Sequence, residues 1–220
     1  MEQILNSTDM TTGYEMQLAT KKQPHIARKL WHALGVGAVA WLYYILPYTV
    51  SLGLVSGFSI LFIGLDFLRF KVPAFKNLVT KIMGVFMRKE ELNRPTGMSF
   101  MCLGFWLLIL LFDKDVALLT MLFVMLGDPV AAYIGTKYGK DKIGDKTVQG
   151  FLACFAVCVI VSFVFLRLSD FSSSRLVYVS LLAALIGSGS ELVQIPKVDD
   201  NLSMPVISGL LLTILFSLTA

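Results

Sequence analysis

Seven stretches of predominantly apolar residues, at roughly 30–47, 50–68, 97–112, 116–136, 149–167, 176–194 and 203–219, set the limits on how this chain can fold. Each approaches the length of about 20 residues that an α-helix needs to cross the hydrocarbon core of a bilayer. Lipid offers no partner to an unpaired backbone N–H or C=O, so a run of this kind inside a membrane satisfies itself as a helix. With 56% hydrophobic and 15% charged residues in 220, and a mean hydropathy of +0.73, the chain is too apolar for an ordinary soluble domain. The expectation is an all-α, polytopic integral membrane protein with about seven transmembrane helices, forming a single membrane domain over residues 25–220. Residues 1–24 are polar and have no apolar core followed by a small-residue cleavage site. They read as a tail or a surface helix and not as a cleaved secretory signal.

Between the second and third runs a shorter helical pattern begins at Pro73, which suits a first helical turn because its missing N–H costs nothing there. Phe75, Leu78, Val79, Ile82, Met83 and Phe86 recur at three- and four-residue spacing, opposite Lys76, Asn77, Thr80 and Lys81. This predicts a cytoplasmic interfacial amphipathic helix, serving as an anchor or as a guide for a lipid substrate.

Orientation follows from the basic residues, because loops rich in Lys and Arg stay in the cytoplasm. With seven spans, all but three of the 19 basic residues fall on the side of the N-terminus; Lys114, Arg167 and Arg175 are the exceptions. The N-terminus is therefore predicted in the cytoplasm and the C-terminus outside, in the inner membrane if the cell is bacterial. Asp66, Glu90, Glu91, Asp128, Asp141, Asp145, Glu191, Asp199 and Asp200 share the cytoplasmic side. A transporter that alternates access places its key groups near the midplane. Here they crowd at one interface, which favours an enzyme.

Asp128 sits towards the end of the fourth apolar run, where a carboxylate costs about 2.5–3.5 kcal/mol to insert and so needs a cation, a partner or a water-filled cavity. No basic residue lies near it within its own span; helix ends or a structural Lys are the alternatives to a metal. The run after it, through Gly135, Gly139, Lys140, Lys142 and Lys146-Thr147, combines close backbone approach with positive charge, which is what a polyphosphate binds. The spacing is not that of a Walker motif, and Gly135 and Gly139 serve helix packing as readily as nucleotide approach. Arg28 and His32 share a helix face, and Asp66 and Arg69 are spaced to pair with each other. Cys102, Cys154 and Cys158 all fall within apolar runs and read as small buried hydrophobes with no disulfide framework. Gly53 and Gly57 fit packing within the chain as well as homo-oligomerisation.

Four blocks in this order resemble the CTP-dependent lipid kinases, a family that includes dolichol kinase, phytol kinase and the yeast-type diacylglycerol kinase. They are Arg28-Lys29-Leu30-Trp31-His32-Ala33-Leu34-Gly35, Asp66-Phe67-Leu68-Arg69-Phe70, Gly127 through Gly150, and Val198-Asp199-Asp200-Asn201-Leu202-Ser203-Met204-Pro205. The resemblance implies transfer of the γ-phosphate of CTP, with Mg²⁺, to the hydroxyl of a membrane lipid alcohol such as a polyprenol, a phytol-like alcohol or diacylglycerol. Nucleotide and lipid bilayer are then the partners, with no nucleic acid. Phosphoryl transfer needs positioning and charge neutralisation above all. Asp128, Asp199 and Asp200 are accordingly the expected metal ligands, and Asp128, Lys146, Asp200, His32 and Arg28 the expected catalytic group. Lys29, Asp66, Arg69, Arg88, Glu91, Gly135, Gly139, Lys146, Thr147 and Asn201 are expected around the nucleotide. Membrane CTP:phosphatidate cytidylyltransferases resemble the Asp128–Gly150 region too, but carry a different C-terminal signature; a non-enzymatic anion transporter is a third reading. Gln149 stands where both enzyme families commonly have Glu.

Overall fold

The computed structural model describes residues 26–83, 87, 89–169, 174–195 and 198–219. The tail 1–24 and Arg88 lie outside the described residues. In chain order the helices are α1 (Ile26–Ile45), α2 (Tyr48–Lys71), α3 (Pro73–Met83), α4 (Gly97–Leu111), α5 (Lys114–Leu122), α6 (Asp128–Tyr138), α7 (Val148–Leu168), α8 (Leu176–Leu192) and α9 (Asp200–Thr219). A single 3₁₀ turn, Lys89–Leu92, precedes α4, and a π-helical turn, Phe123–Gly127, joins α5 to α6.

The expected all-α architecture holds, with one addition: a minimal antiparallel ribbon between α6 and α7, in which Lys142 pairs with Thr147 and Ile143 with Lys146. Its turn is Gly144-Asp145, and Gly144 has φ of 59°, a left-handed value that a residue without Cβ adopts at no cost.

Element ends follow from local chemistry. Proline disfavours helical backbone in the residue before it, and α2 accordingly stops ahead of Val72-Pro73, while Pro73 opens α3. Thr96 caps α4, its hydroxyl accepting the Ser99 N–H at 3.4 Å. The π turn has a covalent cause: Pro129 has no N–H for the Met125 carbonyl and its ring crowds that carbonyl, so the helix widens by one residue just before Asp128.

Among the described residues, four helical rods are long and apolar enough to cross a membrane: Tyr48–Lys71, the continuous rod Lys114–Tyr138, Val148–Leu168 and Asp200–Thr219. Gly97–Leu111 and Leu176–Leu192 are apolar but shorter. The chain is thus a membrane protein with a helical core whose centre is the α5–α6 rod. Ala117, Leu119, Met121 and Phe123 of that rod are fully buried, and α1, α7, α8 and α9 pack around it. Gly187 of α8 lies against the Phe123 ring, where a Cβ would come within 2.5 Å of the ring carbon Cδ2. The exterior stays apolar, with Ile60, Ile160 and Leu210 among many exposed side chains. Gly53 and Gly57 of α2 have no neighbour within 4 Å of a Cβ position, so of the two expected uses, packing within the chain is not theirs. Amphipathic α3 leaves Leu78 and Ile82 uncovered by protein.

Candidate active site at one end of the bundle

Two polar clusters form where the start of α1, the end of α2, the starts of α4, α7 and α9 and the end of α8 meet. The first is a latch. Arg69, only 1% exposed, donates from Nε to Asp66 Oδ1 (3.1 Å), from Nη1 to the Glu91 carbonyl (2.6 Å) and from Nη2 to the Arg94 carbonyl (2.8 Å). Asp66 Oδ2 accepts from the Thr96 backbone N–H (2.6 Å), the Thr96 hydroxyl (3.0 Å) and the Ser99 hydroxyl (2.6 Å). The two expected nucleotide contacts Asp66 and Arg69 are therefore committed to fastening the segment before α4 onto α2. Breaking a buried ion pair leaves one charge uncompensated, which costs about 3–5 kcal/mol. Arg69→Ala is accordingly expected to lower the thermal unfolding temperature in detergent well before any nucleotide is added. Arg69→Lys should not restore it, because an ammonium cannot serve three acceptors in the guanidinium's planar fork.

Glu91 continues the latch. Its Oε1 lies 3.6 Å from Arg28 Nη2 and accepts the Gly97 N–H at 3.3 Å. Asn201 Nδ2 donates to the Gly97 carbonyl at 3.2 Å, tying α9 to α4. A Cβ on Gly97 would lie 2.8 Å from Asn201 Nδ2 and 3.0 Å from Arg28 Nη2, so the junction closes only around glycine. Pro205 supplies no N–H to the Asn201 carbonyl, which instead faces α4 at Gly104.

The second cluster is ionic. Lys29 Nζ lies 2.6 Å from Asp128 Oδ1 and also contacts Oδ2. Lys146 Nζ lies 3.2 Å from Glu191 Oε1 and 3.3 Å from Asp200 Oδ2. Lys146, Glu191 and His32 are each close enough to Asp128 for their charges to act on it. Asp128, Lys29, His32, Lys146 and Asp200 thus converge from four distant parts of the chain, as expected, and the partner of Asp128 is a lysine from α1. Burial alone would pull the Lys146 ammonium down, but Glu191, Asp200 and Asp128 outweigh it and hold its pKa above the ordinary lysine value. Lys146 therefore stays charged through neutral pH.

Three expectations change. Asp199 does not join Asp128 and Asp200 in a metal shell: its Oδ1 accepts the Asn201 N–H at 3.0 Å, which caps α9. Among the described residues no three His, Cys, Asp or Glu side chains are gathered closely enough to cage an ion. Thr147 is likewise a cap, accepting the Gly150 N–H at 3.2 Å, and the Val148 N–H is taken by the Asp141 carbonyl at 2.9 Å. Two of the first N–H groups of α7 are therefore already spent, and Lys146 is the group left to meet phosphate. Gly135 and Gly150 serve close helix packing: a Cβ on Gly135 would meet Thr147 Oγ1 at 2.8 Å, and one on Gly150 the Ala131 carbonyl at 2.8 Å. Gly139 packs against Thr147 in the same way.

Glu191 is the residue that sequence reasoning passed over. It is a carboxylate at the end of an apolar run, buried to 5% exposure, and the argument applied to Asp128 applies to it unchanged. Gln149 lies apart from the cluster. Its Oε1 accepts the Lys140 N–H at 3.0 Å and its Nε2 donates to Asp141 Oδ2 at 3.0 Å, a two-way clasp that a carboxylate could not make.

Comparison with known proteins bears directly on this arrangement. The chain is 32% identical over 167 residues to CTP-dependent diacylglycerol kinase 1 of Schizosaccharomyces pombe, covering 71% of this chain and 76% of that protein. It is 31% identical over 208 residues to the enzyme of the same name from Saccharomyces cerevisiae, covering 84% of this chain and 71% of that protein. The chain belongs to the CTP-dependent lipid kinase family. No protein-family model matches it, and no solved structure does. As a lipid kinase it is a phosphotransferase, and its ionic cluster joins the residues such a reaction calls for: cations for phosphate oxygens beside carboxylates that hold and orient them.

Proposed function

We propose that this kinase transfers the γ-phosphate of Mg²⁺-bound CTP to the free hydroxyl of diacylglycerol at the cytoplasmic face of the membrane. The observation that carries the choice of lipid is identity above 30% to two enzymes named for diacylglycerol, in each case over more than two thirds of both chains. The same reading takes the seven apolar helices as spans, with the N-terminus and ionic cluster inside and the C-terminus outside. It rests on the basic-residue skew and on the convergence of polar groups at one end of the bundle.

Mg²⁺ usually needs only one or two protein carboxylates when phosphates and water complete its shell. Asp128 and Asp200 fit that requirement, since three carboxylates of the cluster face two lysines. The ion would neutralise charge on the triphosphate. Lys146 would place its ammonium on phosphate oxygens, exchanging the exposed Asp200 for phosphate while buried Glu191 keeps it aimed. Lys29, held by Asp128 at rest, is the second cation within reach.

The test is purified protein with Mg²⁺, CTP labelled at either the α- or the γ-position, and a panel of diacylglycerol, polyprenol and phytol. The expected result is CDP release with γ-label on diacylglycerol. Pyrophosphate release with cytidine left on the lipid would establish a cytidylyltransferase instead, and label on polyprenol alone would move the substrate assignment.

A further inference from the structure

An apolar groove of about 250 Å³ runs between α8 and α9, lined by Leu185, Ile186, Gly189, Val193, Ile207 and Leu211. We infer that it holds one hydrocarbon chain of the lipid substrate, an inference that rests on the kinase reading.

Four observations favour that occupant. The groove lies between the two helices whose ends carry Glu191 and Asp200, the two acids on Lys146. Its α8 wall ends at Val193, two residues beyond Glu191. Its α9 wall, Ile207 and Leu211, lies two to three turns from Asp200, about 10–16 Å along the axis. A lipid alcohol must offer its hydroxyl to the phosphates while its tail stays in hydrocarbon, and this channel joins those two environments.

The concavity itself comes from Gly189, where a Cβ would have no neighbour within 4 Å. The remaining polar group on the wall is turned away: the Ser190 hydroxyl donates back to the Ile186 carbonyl at 2.7 Å. What is left is a surface with no polar demand, suited to an alkyl chain and unsuited to a headgroup. Leu185 and Val193 are exposed at its rim, so it opens sideways to lipid.

Gly189→Leu tests this, because the open space lets the side chain fill the groove without displacing protein. The variant is expected to raise KM for long-chain diacylglycerol in mixed micelles about tenfold, with KM for CTP and the unfolding temperature unchanged. Photolabelling with a diazirine-tailed diacylglycerol gives a second readout on the wild-type protein. Tags are expected on residues 185–193 and 207–211, displaced by diacylglycerol and not by phosphatidylcholine. An unchanged lipid KM in Gly189→Leu, tags spread equally along α2, displacement by phosphatidylcholine, or a crosslink to a second copy through this face would each overturn the inference. Absence of CTP-dependent product from the wild type would instead defeat the kinase reading, and the labelling pattern would still be read independently.

Discussion

Replacing Asp128 by Asn is expected to lower turnover about a thousandfold while leaving the protein folded and inserted. Asn has the shape of Asp and keeps one oxygen for Lys29 Nζ, so the contact between α1 and α6 survives in weakened form. What it loses is the charge that orders Lys29 and helps hold Lys146, and the carboxylate available to an ion arriving on the triphosphate. A purely structural partnership would also explain a loss, because the substitution strands a part-buried ammonium. The neutral double variant Lys29→Met, Asp128→Asn separates the two. If Asp128 serves only to satisfy Lys29, removing both charges should restore activity along with stability. If the carboxylate takes part in handling the nucleotide, stability should recover and turnover should not. The measurement is single-turnover γ-phosphate transfer beside thermal unfolding of the same detergent preparation. Wild-type turnover in the double variant would remove Asp128 from the reaction.

The fold was legible in the sequence wherever a bilayer imposes length. Each of the seven apolar runs coincides with a helical rod to within a few residues at most ends, because a lipid-facing segment has no backbone alternative to a helix. Pro73 marked the start of α3 for an equally local reason. Less legible was what depends on neighbours. Gly97–Leu111 and Leu176–Leu192 are shorter than a bilayer-spanning rod, since the segments before α4 and after α8 are drawn into the polar clusters. The π turn was written in Pro129, whose missing N–H was visible, but the way the helix absorbed it was not.

The site divides along the same line. Asp66 and Arg69 could be read as a pair from three-residue spacing, and they are one. Thr147 and Asp199 each stand just before an apolar helical run, a cap signature that was open to recognition but was overshadowed by the family resemblance. The Lys29–Asp128 contact joins residues 99 apart in sequence, beyond any helical periodicity. Glu191 was accessible by the cost of burying a carboxylate, the argument already applied to Asp128.

Lys146→Ala is expected to reduce kcat/KM for CTP about a hundredfold, with KM for the lipid unaltered. The lysine is the cation that Asp200 shares from the exposed side, and the two capped N–H groups of α7 leave no equivalent donor beside it. An unchanged dependence on CTP would end its phosphate role. Glu191→Gln reports on the same ammonium by another route. In the native protein the surrounding acids raise the Lys146 pKa against the effect of burial. A raised lysine pKa contributes stability that is complete below the unfolded value of about 10.4 and is lost only as pH rises through the higher folded value. Between pH 7 and 9, therefore, this group gives the wild type no alkaline loss of nucleotide affinity. With Glu191 neutral, burial counts for more and the pKa falls, so the alkaline limb of the kcat/KM profile for CTP should move to lower pH. That displacement, absent from a Glu191→Gln, Lys146→Ala double variant, is what a carboxylate acting through Lys146 requires and what a purely structural one would not produce.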